Sequence, residues 1–234
     1  MFRLISLVAL TGSVIVCMLH YAALGTRRWK PDKGTAFVYR FSIWERLTHT
    51  LCLLGFLTLA VTGFWAVIVL RGPLHGWLWI LHVGSGAVFA VTMVLMMLLW
   101  AMDCRFEDHD WIWARHVGSY LGGDDRLPAG RFNAGQKAYF WCSVLLGLVT
   151  HLSGLGLVVP VFGLEGQELI GEIHRYGALL FAMSAIVHLY LATLANRGTL
   201  RSIVLGTVSA EWAEHHHPAW REGAGGSPDT GPRE

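Results

Sequence analysis

Charge is scarce in this chain. Of 234 residues, 15% are Asp, Glu, Lys or Arg, against 54% hydrophobic, where a soluble domain carries about 25% charged residues. The formal net charge of +2 is too small to suggest a nucleic-acid partner. Paired cysteines are also missing. Cys17, Cys52, Cys104 and Cys142 stand alone, with no C-x-x-C spacing. That excludes a local zinc or iron–sulfur cluster of the usual spacing and leaves four small hydrophobes, expected to be buried. No nucleotide or flavin fingerprint is present, and no repeat or low-complexity tract interrupts the apolar stretches. Those stretches hold few acids, which argues against a proton-coupled transporter.

What is abundant is tryptophan (11) and histidine (12). Tryptophan belongs at membrane–water interfaces, whereas histidine inside a span is expensive and needs a reason. Five apolar stretches, at 4–24, 47–70, 78–102, 138–161 and 173–195, match the ~20 helical residues that cross a bilayer. Each must be a helix, because lipid cannot satisfy an open backbone. The first is longer than the 7–15 apolar residues of a signal peptide and reads as an uncleaved, signal-anchor-like helix.

Basic residues set the expected orientation. Arg27, Arg28, Lys30, Lys33, Arg40 and Arg46 follow the first stretch, and Arg105, Arg115, Arg126, Arg131 and Lys137 follow the third. Arg197, Arg201 and Arg221 follow the fifth. The opposite loops hold Arg71 and the acids Glu165, Glu168 and Glu172. The basic loops and C-terminus are therefore expected in the cytoplasm, and the N-terminus outside.

Four histidines stand out by depth. His49 opens the second span on the inner side, and His82 opens the third on the outer side. His174 and His188 share the fifth. Their 14 positions correspond to ~21 Å along a helix and ~40° of rotation, so both face one stripe. Depth pairs His82 with His174, and His49 with His188. Two bis-histidine sites stacked across a membrane are what two b-type haems require, with neutral imidazoles as axial ligands of the iron. Six-coordinate iron leaves no open position, so such a site transfers electrons.

Gly55, Gly63, Gly84, Gly86, Ala87, Gly177 and Ala178 fit a porphyrin between helices, and equally fit plain close packing. His75, beside Gly72 and Pro73, reads as a poor ligand. His151 has no partner at its depth and is expected to bond a propionate or backbone. His20 is expected at the interface, and His215, His216 and His217 as a solvated run.

The fold class is thus all-α, a polytopic transmembrane helical bundle. It has an extra N-terminal helix (1–25), a basic cytoplasmic connector (26–45) and a four-helix di-haem core (46–196). A cytoplasmic tail (197–234) follows, disordered after about 221.

Several motifs carry a resemblance: Arg46-x-x-His49, Ile80-Leu81-His82 and Phe132-Asn133-Ala134-Gly135-Gln136-Lys137, then Ile173-His174 and His188-x-Tyr190-x-Ala192. The tail adds Gly198, Gly206, Val208-Ser209, Trp212-Ala213 and His216-His217-Pro218-x-Trp220. Together, over about 44–221, they resemble the gamma subunit, cytochrome b556, of membrane-bound formate dehydrogenases. The resemblance implies the same histidine pairs, and a quinone site at Asn133 and Gln136 beside the inner haem. It implies menaquinone or ubiquinone as acceptor. It also implies an iron–sulfur beta subunit on the outer face, fed by a molybdenum or tungsten alpha subunit. The location implied is a bacterial inner membrane.

Asn133 and Gln136 can donate hydrogen bonds to a quinone, and at this spacing can equally cap the fourth span. Arg46 is a candidate propionate partner or a cytoplasmic anchor. The chain reads as a redox-active, quinone-reducing subunit, not the formate-oxidising one. Cytochrome b subunits of hydrogenases or of thiosulfate and polysulfide reductases are the alternative. A non-haem anchor or transporter with structural histidines is the alternative of another class.

Overall fold

The computed structural model describes residues 1–24, 36–122 and 126–223. The basic cluster Arg27–Lys33 and the tail beyond residue 223 lie outside the described residues.

Five described helices are long and apolar enough to cross a membrane: Phe2–Ala23, Ile43–Leu70, Gly76–Trp100, Ala134–Val158 and Leu164–Ala195. The first is α1. The second joins α2 (Ile43–Trp65) to a π-helical turn (Ala66–Leu70), and Gly76–Trp100 is α3. A short helix, α4 (Asp108–Arg115), precedes α5 (Ala134–Val158). The fifth span joins α6 (Leu164–Tyr190) to a second π-helical turn (Leu191–Ala195). Leu4, Val8, Leu54, Val61, Leu98, Leu145 and Leu152 are all exposed on these helices. Such faces are the ones hydrocarbon would cover.

Two boundaries differ from the apolar stretches. The fifth helix begins at Leu164 rather than near residue 173, so Glu165, Glu168 and Glu172 ride on α6 and not in a loop. Glutamate is a good helix former, and an acid in the first turn complements the helix dipole. Apolar length marks where the lipid is, not where the helix starts. The fourth helix likewise starts at Ala134, because Asn133 and Gln136 cap it. The Asn133 amide N–H donates to Gln136 Oε1 (3.1 Å) and the Gln136 N–H to Asn133 Oδ1 (2.9 Å), a reciprocal capping box.

The chain divides into two compact units. Unit 1 comprises Met1–Ile15, Thr48–Leu98 and Cys142–Val187; unit 2 comprises Val16–Leu47, Leu99–Trp141 and His188–Glu234.

Unit 1 is held by close helix contact and aromatic packing. A Cβ on Gly55 would lie 3.3 Å from the Phe89 Cβ, so glycine lets α2 approach α3. Phe56, Phe89 and Phe181 form a ring triad with centroids 5.1–5.9 Å apart. At the start of α1, Phe2 packs edge-on against Tyr176.

Unit 2 adds what the sequence did not announce. Strand β1 (Phe37–Tyr39) pairs antiparallel with β2 (Thr207–Ser209), Val38 facing Val208. Runs of three residues are too short to show a strand period. Helices α7 (Leu200–Leu205), α8 (Ala210–His216) and α9 (Pro218–Gly223) surround this ribbon. Gly206 ends α7 at φ +79°, and a Cβ there would sit 2.8 Å from the Phe41 carbonyl oxygen, so only glycine fits without strain. Ser209 caps α8, its Oγ accepting from the Trp212 N–H at 3.2 Å. Val38, Val208, Trp212 and Ala213 form the core beneath.

Candidate functional site

In unit 1, His82 of α3 and His174 of α6 come together with ring centroids 6.3 Å apart. An imidazole–metal bond is about 2.0–2.1 Å, so two imidazoles sharing one metal place their centroids roughly 6 Å apart once the ring half-widths are added. The observed separation fits an axial pair. Small residues make room: a Cβ on Gly63 would lie 3.4 Å from His82 Cε1, and one on Gly154 would lie 3.2 Å from His174 Cε1.

The hydrogen bonds choose the tautomers. His174 Nδ1 lies 3.0 Å from the Thr150 carbonyl oxygen, with Ser153 Oγ at 3.3 Å. A carbonyl only accepts, so Nδ1 carries the hydrogen and Nε2 keeps its lone pair. His82 Nδ1 lies 2.7 Å from Thr62 Oγ1. Neither threonine nor Ser153 was visible as part of the site in the sequence. A buried mid-span hydroxyl is the signal that points to them.

His49 belongs to unit 1 and His188 to unit 2, and each is described by itself. His49 is half-buried near the start of α2. His188 is half-buried near the end of α6 and stacks on Tyr139, with centroids 4.1 Å apart and planes at 4°.

The other histidines divide. His151 bonds backbone: Nδ1 meets the Gly147 carbonyl at 2.6 Å and Nε2 the Gly86 carbonyl at 3.1 Å, while its ring stacks on Phe89. His75 is exposed at the edge of α3. His20 is not merely interfacial. Its Nε2 donates to the Tyr120 carbonyl at 2.6 Å, leaving Nδ1 to accept from the Tyr190 hydroxyl at 2.5 Å. The three tail histidines are not a solvated run. His217 is 1% exposed, Nδ1 donating to the Gly130 carbonyl at 2.6 Å and Nε2 lying 3.3 Å from Arg40 Nη2. Trp212 packs on it and excludes water. Cys142 is exposed, unlike buried Cys17 and Cys104; on a helix that faces lipid, an apolar side chain need not be covered by protein.

Unit 2 also buries charge. Arg40 is 3% exposed, its guanidinium within 4.8 Å of the Trp212 ring centre and 5.0 Å of that of Phe41. Burial first, and Arg131 second, draw its pKa down to about 9, against the pull of Glu45. The aromatic faces partly compensate the cation. Arg131 bonds Glu45 at 2.6 Å and Asp103 at 2.5 Å. Lys137, 2% exposed, pairs with buried Asp110 at 2.7 Å.

A cleft in this unit is lined by Asn133 and Gln136, with Tyr120, Asn196, His216 and His217 among its other walls. The side-chain oxygens of Asn133 and Gln136 serve the cap, and their amide NH₂ groups are the donors left for a ligand. Arg46 donates instead to the backbone at the end of α7, Nε to the Ile203 carbonyl at 2.9 Å and Nη2 to that of Val204.

Comparison with known proteins identifies the family. The family model described as prokaryotic cytochrome b561 matches residues 40–206. The chain belongs to the prokaryotic cytochrome b561 family. It is therefore a b-type cytochrome and an integral membrane protein. It is similar to the formate dehydrogenase cytochrome b556(fdo) subunit of Escherichia coli strain K12, 25% identical over 197 residues that cover 78% of this chain and 91% of the relative. The nitrate-inducible formate dehydrogenase cytochrome b556(Fdn) subunit of the same strain is 26% identical over 200 residues, 78% of this chain and 89% of that one. A Haemophilus influenzae formate dehydrogenase cytochrome b556 subunit is 32% identical over 108 residues, 43% and 44% of the two chains. The cytochrome match begins at Arg40, so α1 stands outside it.

Proposed function

We propose that the chain is the membrane-anchoring cytochrome b subunit of a formate dehydrogenase complex. It carries electrons from an outer iron–sulfur subunit, through two b haems, to a membrane quinone. The haems, when bound, supply a reversible one-electron couple at each level. The remainder is done by the chain's own side chains.

One observation carries the reading. His82 and His174 come from different helices, stand 6.3 Å apart, and have Nδ1 hydrogen-bonded so that Nε2 is the bare nitrogen. Neutral imidazoles with Nε2 free are what an axial pair needs. The sequence depths of His49 and His188 support reading them as the inner couple. Arg46 is the candidate for an inner propionate, and its guanidinium also bonds the end of α7.

Asn133 and Gln136 orient a quinone carbonyl through their amide hydrogens. Their cap fixes both side chains, so donors are preorganised at the helix start. Menaquinone and ubiquinone present the same carbonyl chemistry. The basic loops support a cytoplasmic C-terminus in a bacterial inner membrane, with protons for the quinone taken up on that side. The relatives' names support a formate dehydrogenase complex as the setting; the molybdenum or tungsten subunit and the iron–sulfur subunit follow from the family resemblance.

The test is a pyridine haemochrome count with a reduced-minus-oxidised spectrum. Two haems b per chain are expected, falling to one in His174→Ala. A colourless protein, or a His174→Ala protein with both haems, refutes the assignment.

A further inference from the structure

We infer that Thr62 is a positioning residue for the outer haem: its hydroxyl fixes the His82 ring as the Nδ1–H tautomer and tunes the iron that Nε2 would hold. The inference rests on reading His82 and His174 as an axial pair.

Thr62 lies in α2 and is 4% exposed. Its Oγ1 is 2.7 Å from the Thr58 carbonyl, 3.3 Å from that of Leu59 and 2.7 Å from His82 Nδ1. A hydroxyl has one hydrogen, and the carbonyls can only accept. The hydrogen goes to Thr58, the nearer carbonyl. A lone pair then faces His82 Nδ1, which must supply the hydrogen of that contact. A neutral imidazole carries one N–H, so Nε2 is left bare toward His174.

Mid-helix threonines commonly bond back to the carbonyl four residues earlier, as Thr58 does to Leu54 at 2.9 Å. The third partner is what sets Thr62 apart. Because its hydrogen is already donated, its oxygen is a stronger acceptor. An acceptor on Nδ1–H raises the basicity of Nε2. A more basic ligand favours ferric over ferrous iron, and so lowers the potential.

The two ligands are held unequally. His174 leans on the Thr150 backbone carbonyl, which no side-chain substitution removes. His82 depends on a hydroxyl that one substitution deletes. Next to Thr62, Gly63 keeps α2 close to the His82 ring, where a Cβ would already be in contact.

The experiment compares haem-loaded full-length protein with Thr62→Val and Thr62→Ser, by haem count, redox titration resolving both midpoints, and the ferric low-spin spectrum. Thr62→Val should keep two haems and raise one midpoint, with about a tenfold change in the ferric-to-ferrous preference, ~59 mV for one electron. Thr62→Ser should restore it, and the other haem should not move. Unchanged midpoints in Thr62→Val overturn the inference. So does a Thr62→Ser protein that shares the valine defect, including loss of one haem, because serine retains the hydroxyl. The axial reading is checked separately. If His174→Ala loses one haem while Thr62→Val changes nothing, only the Thr62 role fails. If His174→Ala keeps both haems, the axial pair and the Thr62 role fall together.

Discussion

The buried polar groups of unit 1 are hydroxyls and imidazoles: Thr62 and Ser153 beside His82 and His174, and His151 against backbone carbonyls. Those of unit 2 include full charges as well: Arg40 among aromatic rings, Glu45 beneath half-buried Arg131, and Lys137 on Asp110. Neutral groups suit unit 1, because a metal takes only an imidazole nitrogen that carries no proton. Unit 2 ties short elements and a strand pair together, and charge supplies directional contacts that a three-residue strand or a six-residue helix cannot supply by burial alone.

The largest expected effect breaks that contrast directly. Lys137→Met leaves Asp110 buried without its lysine, with the Glu107 N–H and a His109 ring 3.8 Å away as its remaining partners, which costs about 3 kcal/mol. Thermal unfolding in detergent should show it, while the haem spectrum of the folded protein is unchanged. Asp110→Asn together with Lys137→Met should recover much of the loss. Equal loss in the single and double variants would mean that the pair does not set the stability of unit 2.

The next effect sharpens the contrast through pH. His217 is pushed well below the ordinary histidine range by burial first and by the Arg40 cation second, with the Gly130 carbonyl opposing. Its folded pKa lies below its unfolded value of about 6.5, so the unfolded chain binds the extra proton in acid. Stability is therefore fully present above pH ~6.5 and falls as the pH drops below it, by up to about 1.4 kcal/mol per unit. Unfolding measured from pH 8 to 5 should show this slope in the parent and a flatter one in His217→Gln. Parallel slopes would remove His217 as the cause.

The smallest effect concerns one cap. Ser209→Ala should cost about 1 kcal/mol by freeing the Trp212 N–H. Hydrogen exchange should rise in α8 and leave α3 and α6 unchanged. Equal loosening of α3 would mean that the contrast between the units does not hold.

The spans were legible because length and hydropathy report them directly. His82 and His174 met as their depths required. Other features were hidden for physical reasons. Three-residue strands have no readable period, and α4 is short and polar. The motifs behind the family resemblance proved largely structural. A Cβ on Gly135 would lie 2.6 Å from the Trp113 ring, Asn133 and Gln136 form a cap, Gly206 ends α7, and Trp212 fills a core. Such residues identify a family without revealing chemistry. Thr62 shows the converse. Nothing in the sequence separates it from any other threonine in a span, yet it is one of the polar groups touching the His82 ring.

His20 sits on a helix that the cytochrome match leaves out, yet it accepts from the Tyr190 hydroxyl and donates to the Tyr120 carbonyl. Tyr190 lies two residues beyond His188, and Tyr120 borders the cleft of Asn133 and Gln136. A chain shortened to the matched residues would keep His49, His82, His174 and His188 and still deprive that tyrosine of its acceptor. The first helix thus braces Tyr190, and cutting it away would disturb the C-terminal end of α6 first.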